Sequence, residues 1–164
     1  MNDSLRDAAH ALVARAKQAG QSGSTLTDAE ALTLQEDAQG ALPQWYLELL
    51  LKVPLAGLEF EYGEADEDGD RPHALLWNGA TGIRSESLEC YPGLAILERG
   101  YFNCASDPTG GGDPYFVGPE VDGVRPVYQV YHDVGDQADD ILADGLKLVA
   151  PSLAVLLDGG ICDE

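Results

Sequence analysis

The spacing of apolar residues predicts helices in the first third of the chain. Apolar positions recur at helical intervals over residues 5–19, and Ser4 can cap the first turn of this helix. Thr27 followed by Glu30 forms a capping box that opens a second helix, which ends at Gly40. Pro43 suits the first turn of a third helix, whose apolar stripe consists of Trp45, Tyr46, Leu49 and Leu50.

The middle of the chain predicts strands instead of helices. Apolar residues alternate with glutamate over 58–62, as in a half-exposed strand, and residues 74–77 form a short buried run. Residues 80–93 indicate a loop or one helical turn. Over 99–133, three runs rich in aromatic and β-branched residues are separated by Gly, Pro and Asp, which predicts consecutive strands. The last run directs Val127, Gln129 and Tyr131 to one face of a sheet, and Tyr128, Val130 and His132 to the other.

The last part of the chain predicts a closing helix. Apolar residues continue at helical spacing from Ile141 to Leu157, and Gly145 and Pro151 interrupt them, so we expect one bent helix or two short ones. Helices followed by about five to six strands and a final helix indicate an α+β fold with a mostly antiparallel sheet. At 164 residues we expect a single domain, which can bury roughly 70% of its unfolded surface.

The net charge of the chain limits the classes of molecule that it can be expected to bind. The chain carries 29 acidic and 9 basic side chains, for a net charge of −20. The excess grows along the chain, because residues 106–164 hold 12 acidic and 2 basic side chains, whereas residues 1–39 hold 6 and 3. Such a surface repels nucleic acid and anionic membranes and attracts basic proteins. The alternative interpretation is that the acidic charge only keeps the protein in solution.

Cysteine use and the chain start predict a reduced cytoplasmic protein. Cys90, Cys104 and Cys162 are odd in number and form no Cys-x-x-Cys pair, which argues against a zinc site and a disulfide scaffold. The residues after Met1 lack a basic start and an apolar core, so we expect no signal peptide. No apolar run approaches the roughly 20 residues of a membrane helix. We expect a monomer or small homo-oligomer without metal or cofactor.

Two motifs resemble ligand loops but lack the residues that such loops need. Gly110–Gly112 is followed by no lysine and flanked by Asp107 and Asp113, which would repel phosphate, so a hairpin loop is expected. The alternating aspartates over 66–70 resemble the start of a calcium loop, but arginine and tryptophan stand where that loop needs glycine and glutamate. We expect a solvated acidic turn there, with a weak surface calcium site as the alternative.

A small hydrolase or thiol enzyme that uses Cys104 and His132 is the main catalytic alternative. Cys104 would need a base, and His132 on a neighbouring strand is the candidate for this role. The competing interpretation is that Cys104 packs as a small hydrophobic residue and that His132 ends a strand with its ring hydrogen-bonded. The tyrosines of the last strands would suit a single-stranded nucleic-acid platform, but the basic groove that such a platform needs is lacking.

The order of several motifs resembles a known family. Those motifs are the 27–40 helix, Leu42-Pro43 with Trp45-Tyr46-Leu47 and Leu49-Leu50, Gly110 to Tyr115, Pro126-Val127-Tyr128, Tyr131-His132-Asp133, and Ala150 to Leu157. Together they resemble the SUKH superfamily, which includes many bacterial immunity proteins of contact-dependent and polymorphic toxin systems and a fungal cell-wall-assembly regulator. The resemblance covers about 27–158 and leaves the helix within 1–22 outside it.

This resemblance implies a twisted sheet of mostly antiparallel strands with helices packed on one side, and a binding protein without catalytic residues. It implies an immunity protein that binds and neutralises a cognate toxin domain, such as a basic nuclease; a regulatory module of a larger assembly is a further alternative. From charge and loop position, the expected partner-binding residues are Asp107, Asp113, Glu120, Asp122, Asp133, Asp136, Asp139 and Asp140.

Overall fold

A six-stranded antiparallel sheet forms the centre of the protein. The computed structural model describes residues 1–163. Each strand pairs with the next one along the chain, so that sequence order and spatial order coincide. The strands are β1 Glu59–Tyr62, β2 His73–Trp77, β3 Phe102–Ser106, β4 Tyr115–Val117, β5 Val127–Val130 and β6 Leu146–Ala150. This architecture confirms the predicted α+β class, the antiparallel sheet and the closing C-terminal helix.

Seven α-helices accompany the sheet within the described residues. They are α1 Asp3–Gln18, α2 Asp28–Asp37, α3 Gln44–Lys52, α4 Ala80–Arg84, α5 Gly93–Ile96, α6 Ala138–Asp144 and α7 Leu153–Asp158. A π-helical turn, Ser85–Glu89, continues α4, and a 3-10 turn, Leu97–Arg99, follows α5. Residues 80–93 are therefore more helical than the expected loop or single turn. None of the helices in the described part is long and apolar enough to cross a bilayer.

Local capping chemistry sets where the first helices begin. The Thr27 hydroxyl accepts the Glu30 amide at 3.2 Å, and the Glu30 carboxylate accepts the Thr27 amide at 2.8 Å, which confirms the capping box. The prediction for α1 was wrong by two residues, because Asn2 rather than Ser4 caps it. The Asn2 side chain accepts the Leu5 amide at 2.8 Å, and Asp3 adds a favourable negative charge to the first turn.

Apolar side chains are buried on both faces of the sheet. The main core joins one face of the sheet to α1, α3 and α7, and Tyr115 and Val117 belong to it. Phe116, between them, points to the opposite face, where it packs with Ile96, Val130 and Ile141 beneath α5 and α6. This second cluster of four buried residues explains why the middle strands of the sheet are apolar on both sides.

The closing segment contains two short helices, which was one of the two expected forms, but an unexpected strand lies between them. Residues 146–150 form strand β6, which pairs antiparallel with β5, instead of continuing a helix into α7. The chain leaves α6 at Gly145, where an added Cβ would lie 2.8 Å from the Ile141 carbonyl oxygen. The freed segment then completes its backbone hydrogen bonds on β5, and Pro151 ends it.

Candidate functional site

The strand order collects three acidic loops at one end of the sheet. In an antiparallel sheet of sequential strands, successive connections alternate between the two ends. The β1–β2 loop, the β3–β4 loop and the start of the β5–α6 loop therefore share one end, which we call the acidic end. Its acidic residues are Glu64, Asp66, Glu67, Asp68, Asp70, Asp107, Asp113, Asp133 and Asp136. Arg71 and His132 are the basic side chains of these loops, and the Arg71 guanidinium is directed at the Gly63 carbonyl oxygen.

Some of these carboxylates shape their own loops. Asp66 accepts the amides of Asp68 and Asp70 at 3.0 and 2.9 Å, and this closes the acidic turn. Asp107 accepts the amide and the hydroxyl of Thr109 at 2.7 and 2.6 Å. A Cβ at Gly112 would lie 2.0 Å from the Asp107 carboxylate, so the glycine run folds over that side chain as a hairpin loop.

Asp113 ties two of the acidic loops together. Its Oδ1 accepts the His132 amide at 2.9 Å and lies 2.5 Å from the His132 ring nitrogen Nδ1. The His132 ring is thus hydrogen-bonded at the end of β5, as expected for a strand-end residue. The contact fixes the β3–β4 loop against the β5–α6 loop, and therefore helps to hold the exposed carboxylates of Asp133 and Asp136 in place.

The other predicted binding residues lie elsewhere. Glu120 and Asp122 belong to the β4–β5 loop, at the opposite end of the sheet. Asp139 and Asp140 open α6, where Asp139 forms a 2.8 Å ion pair with Arg99. The eight acidic residues thus form no continuous patch: Asp107, Asp113, Asp133 and Asp136 belong to the acidic end or the loop that leaves it, and the remaining four lie apart from it.

The β4–β5 loop contains a tight hairpin that the sequence analysis did not identify. Val121 and Val124 exchange backbone hydrogen bonds of 2.7 and 3.1 Å around Asp122 and Gly123. Both central residues have positive φ, 50° and 81°, as a type I′ turn requires. The Asp-Gly pair between two valines was the sequence signal that could have predicted it.

Cys104 and His132 are not brought together as a nucleophile and its base. Cys104 is fully buried in the main core, its thiol lies 3.6 Å from the Tyr115 carbonyl oxygen, and burial raises its pKa. The His132 ring is exposed at the acidic end and engages Asp113. This geometry matches the interpretation of Cys104 as a packing residue. All three cysteines are free thiols, with Cys90 exposed and Cys162 half-buried.

A groove of about 360 Å³ lies at the opposite end of the sheet. The start of α1, the start of α7 and the β4–β5 loop line it, and Trp45 and Arg125 belong to its wall. The Arg125 guanidinium stacks on the Trp45 ring at 5.5 Å from the ring centre, and Glu120 is also among the residues that line the groove. No spacing in the sequence pointed to this groove, because its walls come from distant segments.

His73 is a buried titratable residue at the start of β2. It lies in β2, packs edge-on against the Tyr115 ring, and its Nδ1 has no hydrogen-bond partner among the described residues. Burial lowers the pKa of His73, and Lys147 adds a smaller effect in the same direction. The folded protein therefore favours the neutral form of this ring more than the unfolded chain does.

Replacing His73 with phenylalanine should make stability less sensitive to acid. The pKa of His73 is lower in the folded than in the unfolded state, so as the pH falls through the ordinary histidine pKa of about 6.5 the unfolded state binds more protons and His73 lowers stability. Urea unfolding at about pH 7.5 and about pH 5.5 measures this effect, and on acidification the wild type should lose more free energy of unfolding than His73→Phe. His10→Gln, at an exposed position, is the control. Equal changes in all three proteins would contradict the assignment.

Within residues 1–163, no group of three or more His, Cys, Asp or Glu side chains is arranged to hold a metal ion. In the acidic turn at 66–70, the Asp66 carboxylate accepts hydrogen bonds from backbone amides of the turn itself.

The chain was compared with protein-family models, with curated proteins and with solved structures, and none of them matches it.

Proposed function

We propose that this protein is a non-catalytic module of the SUKH superfamily that binds and neutralises a basic bacterial toxin domain. The observation that supports this proposal best is the acidic end, where three loops present nine carboxylates and one arginine. The order of the sequence motifs supports the family, and the charge supports a basic partner independently of it.

The chemistry of the acidic end suits recognition of a protein that itself binds phosphate. A nuclease uses lysine and arginine to hold nucleic acid, and a surface rich in fixed carboxylates competes for the same groups. Complementary fields mostly accelerate association and select the partner, whereas affinity comes from a few buried anchors. Because strands support all three loops and Asp113 links two of them, binding needs little ordering of the free protein.

The thiol-enzyme alternative has no comparable support at its two residues. A cysteine nucleophile needs an accessible thiol with a lowered pKa and a base within hydrogen-bond reach. Cys104 is buried with a raised pKa, and the His132 ring engages a carboxylate elsewhere. The geometry at these two residues therefore supports the proposal that the module acts through contact rather than through covalent chemistry.

Neutralising the acidic end should slow association with the toxin domain encoded by the adjacent upstream gene. The test variant combines Glu67→Gln, Asp68→Asn and Asp133→Asn, whose exposed side chains accept no hydrogen bond among the described residues. The control variant combines Asp7→Asn, Glu36→Gln and Glu89→Gln, exposed positions on distant helical segments. Both variants remove three negative charges. A difference between their association rates therefore shows that the position of the charge matters, and not only the net charge.

We expect the test variant to associate at least about 10-fold more slowly at about 50 mM salt, and the control to change less than about 2-fold. The difference should shrink at about 500 mM salt, because exposed charges are then screened. In a sensitive bacterial host, co-expression of the wild type should rescue growth. Equal slowing by both variants would refute the acidic end as the binding surface, and the absence of rescue and of any complex at micromolar concentration would refute the immunity function.

A further inference from the structure

The two outer strands of the sheet differ in how their free edges are covered. On β1, the Gln21 side chain donates to the Glu59 carbonyl oxygen and accepts the Glu59 amide, both at 2.8 Å. Two residues on, Glu61 and Ile161 exchange backbone hydrogen bonds of 2.8 Å each. The outward backbone groups of β1 are therefore paired within the chain.

The outer edge of β6 is open. The Tyr131 amide donates to the Gly145 carbonyl oxygen at 2.9 Å. This bond determines which residues of β5 and β6 form the hydrogen-bonded pairs of the antiparallel ladder. In an antiparallel pair the backbone groups alternate in direction, so those of Lys147 face β5 and those of Leu146 and Leu148 face outward. Among the described residues, no other strand or side chain hydrogen-bonds to these outward groups.

An apolar contact accompanies this edge. The Leu148 side chain is 57% exposed, the second-highest value among the large hydrophobic residues. It stands opposite Tyr128 on the face of the second cluster, and the Tyr128 ring packs against Tyr101 at 5.9 Å. An added strand would find both unpaired backbone groups and an apolar surface there.

Acidic loops flank both ends of this edge. β6 starts beside the acidic end, two residues after Asp144, and it finishes beside the β4–β5 loop with Glu120 and Asp122. A strand of five residues spans about 16 Å. Of the eight acidic residues predicted from the sequence, four belong to the acidic end and Glu120 and Asp122 to the opposite end. A strand lying along β6 would run from one of these groups toward the other.

We propose that the partner docks by adding an extended strand, apolar at its centre and basic at both ends, to the free edge of β6. This inference rests on the proposed function, because the strand belongs to the basic toxin domain. Leu148 supplies the central apolar contact, the outward groups of Leu146 and Leu148 supply the backbone hydrogen bonds, and the flanking carboxylates pair with the basic ends of the strand.

A second copy of this chain fits the same edge poorly. Antiparallel self-pairing centred on Leu148 would bring Asp144 of one copy beside Ser152 of the other, close to the acidic β4–β5 loop. Like charges would then face each other at both ends of the joint sheet, on proteins of net charge −20 each. Lys147, on the other face of β6, is a charged edge residue of the kind that discourages such pairing.

Leu148→Pro tests the docking mode. Proline removes the outward amide and the leucine side chain without removing a hydrogen bond to β5, and edge strands tolerate proline at such positions. Leu148→Lys keeps the backbone groups, removes the apolar contact and repels a basic strand. It tests the same docking mode if the proline variant unfolds. Gln21→Ala is the control, because it uncovers the opposite edge at β1. Binding to the toxin domain of the adjacent gene is measured by calorimetry, with circular dichroism as the check on folding.

We expect Leu148→Pro to weaken binding at least about 100-fold and Leu148→Lys at least about 10-fold, with Gln21→Ala within about 2-fold of wild type. Amide exchange at Leu146 and Leu148 should slow in the complex. A complex that tolerates both Leu148 variants would overturn edge docking and leave the immunity function standing. No complex with the wild type would overturn the function and the docking together. A homodimer that Leu148→Pro dissociates would identify a second copy as the occupant and also overturn the proposal.

Discussion

Asn103→Asp is expected to lower the free energy of unfolding by about 3–5 kcal/mol, because it buries an uncompensated charge. Asn103 is fully buried in β3. Its Nδ2 donates to the carbonyl oxygens of Ala105 and Tyr115 at 3.0 and 3.1 Å, and its Oδ1 accepts from Asn78 at 2.7 Å. Aspartate keeps the shape but loses both donated hydrogen bonds, and it sets a carboxylate against two carbonyl oxygens.

The amide matters because it lies where the ladder between β3 and β4 is irregular. The pairing register shifts between Asn103 and Ala105, and a side-chain amide satisfies carbonyl groups there. Ser87 and Tyr46 complete the network through the Asn103 backbone amide and carbonyl, at 3.0 and 3.1 Å. Removing one member leaves buried groups unpaired, at about 1–3 kcal/mol for each group.

Urea unfolding at neutral pH measures this prediction. Asn103→Ala separates lost hydrogen bonds from added charge and should be destabilised less than Asn103→Asp. Asn2→Asp is the matched control, because it makes the same chemical change at a helix cap where both residues serve equally well. A urea midpoint for Asn103→Asp close to that of the wild type would show that this network does not stabilise the irregular pairing between β3 and β4.

Features that depend on neighbouring residues were predictable from the sequence. The capping box of Thr27 and Glu30 sets the start of α2 through contacts three residues apart. The alternation around Val127 and Val130 assigned these residues to opposite faces, and the structure buries them in two different clusters. Short-range chemistry determines both features, so they need no knowledge of the fold.

The strand β6 depends on a distant partner. Leu146, Val149 and Leu153 recur at helical spacing, and the segment is too short for periodicity to separate a strand from a helix. The segment forms a strand because the edge of β5 offers hydrogen-bond partners to its backbone groups directly after the end of α6. Pairing of this kind is a property of the assembled sheet, and it overrides the local pattern.

In the candidate site too, some features follow from the local sequence and others depend on the assembled sheet. The acidic excess was visible in composition, and so were the loops at 107–113 and 133–136. The turn at 64–70 was interpreted as a solvated acidic turn, with a weak calcium site as the alternative, and the sequential antiparallel order places it at the same end as those loops. The same order carries Glu120 and Asp122 to the opposite end. Sequence therefore identified acidic residues, and topology decides which of them act together.

Gly93→Ala is expected to lower the free energy of unfolding by about 3 kcal/mol, through overpacking against the backbone. A Cβ at this position would lie 1.7 Å from the Glu86 carbonyl oxygen and 3.0 Å from the Phe116 ring. The first of these atoms belongs to the backbone of the π-helical turn, and the second to the fully buried second cluster, so neither can move freely. Adding one methyl group must therefore shift α5 or the turn below it.

Gly79→Ala is the matched control, because its Cβ would meet its nearest neighbour, Ala56, at an ordinary 3.5 Å. Urea unfolding should place the control near the wild type and Gly93→Ala well below it. The second cluster also supports α6, and the loop that leads into α6 carries Asp133 and Asp136. If the proposed function is right, displacing α5 should therefore also weaken binding to the proposed partner in the molecules that remain folded. Wild-type stability for Gly93→Ala would mean that the turn yields to the added carbon, and would remove the second cluster as the rigid support of those carboxylates.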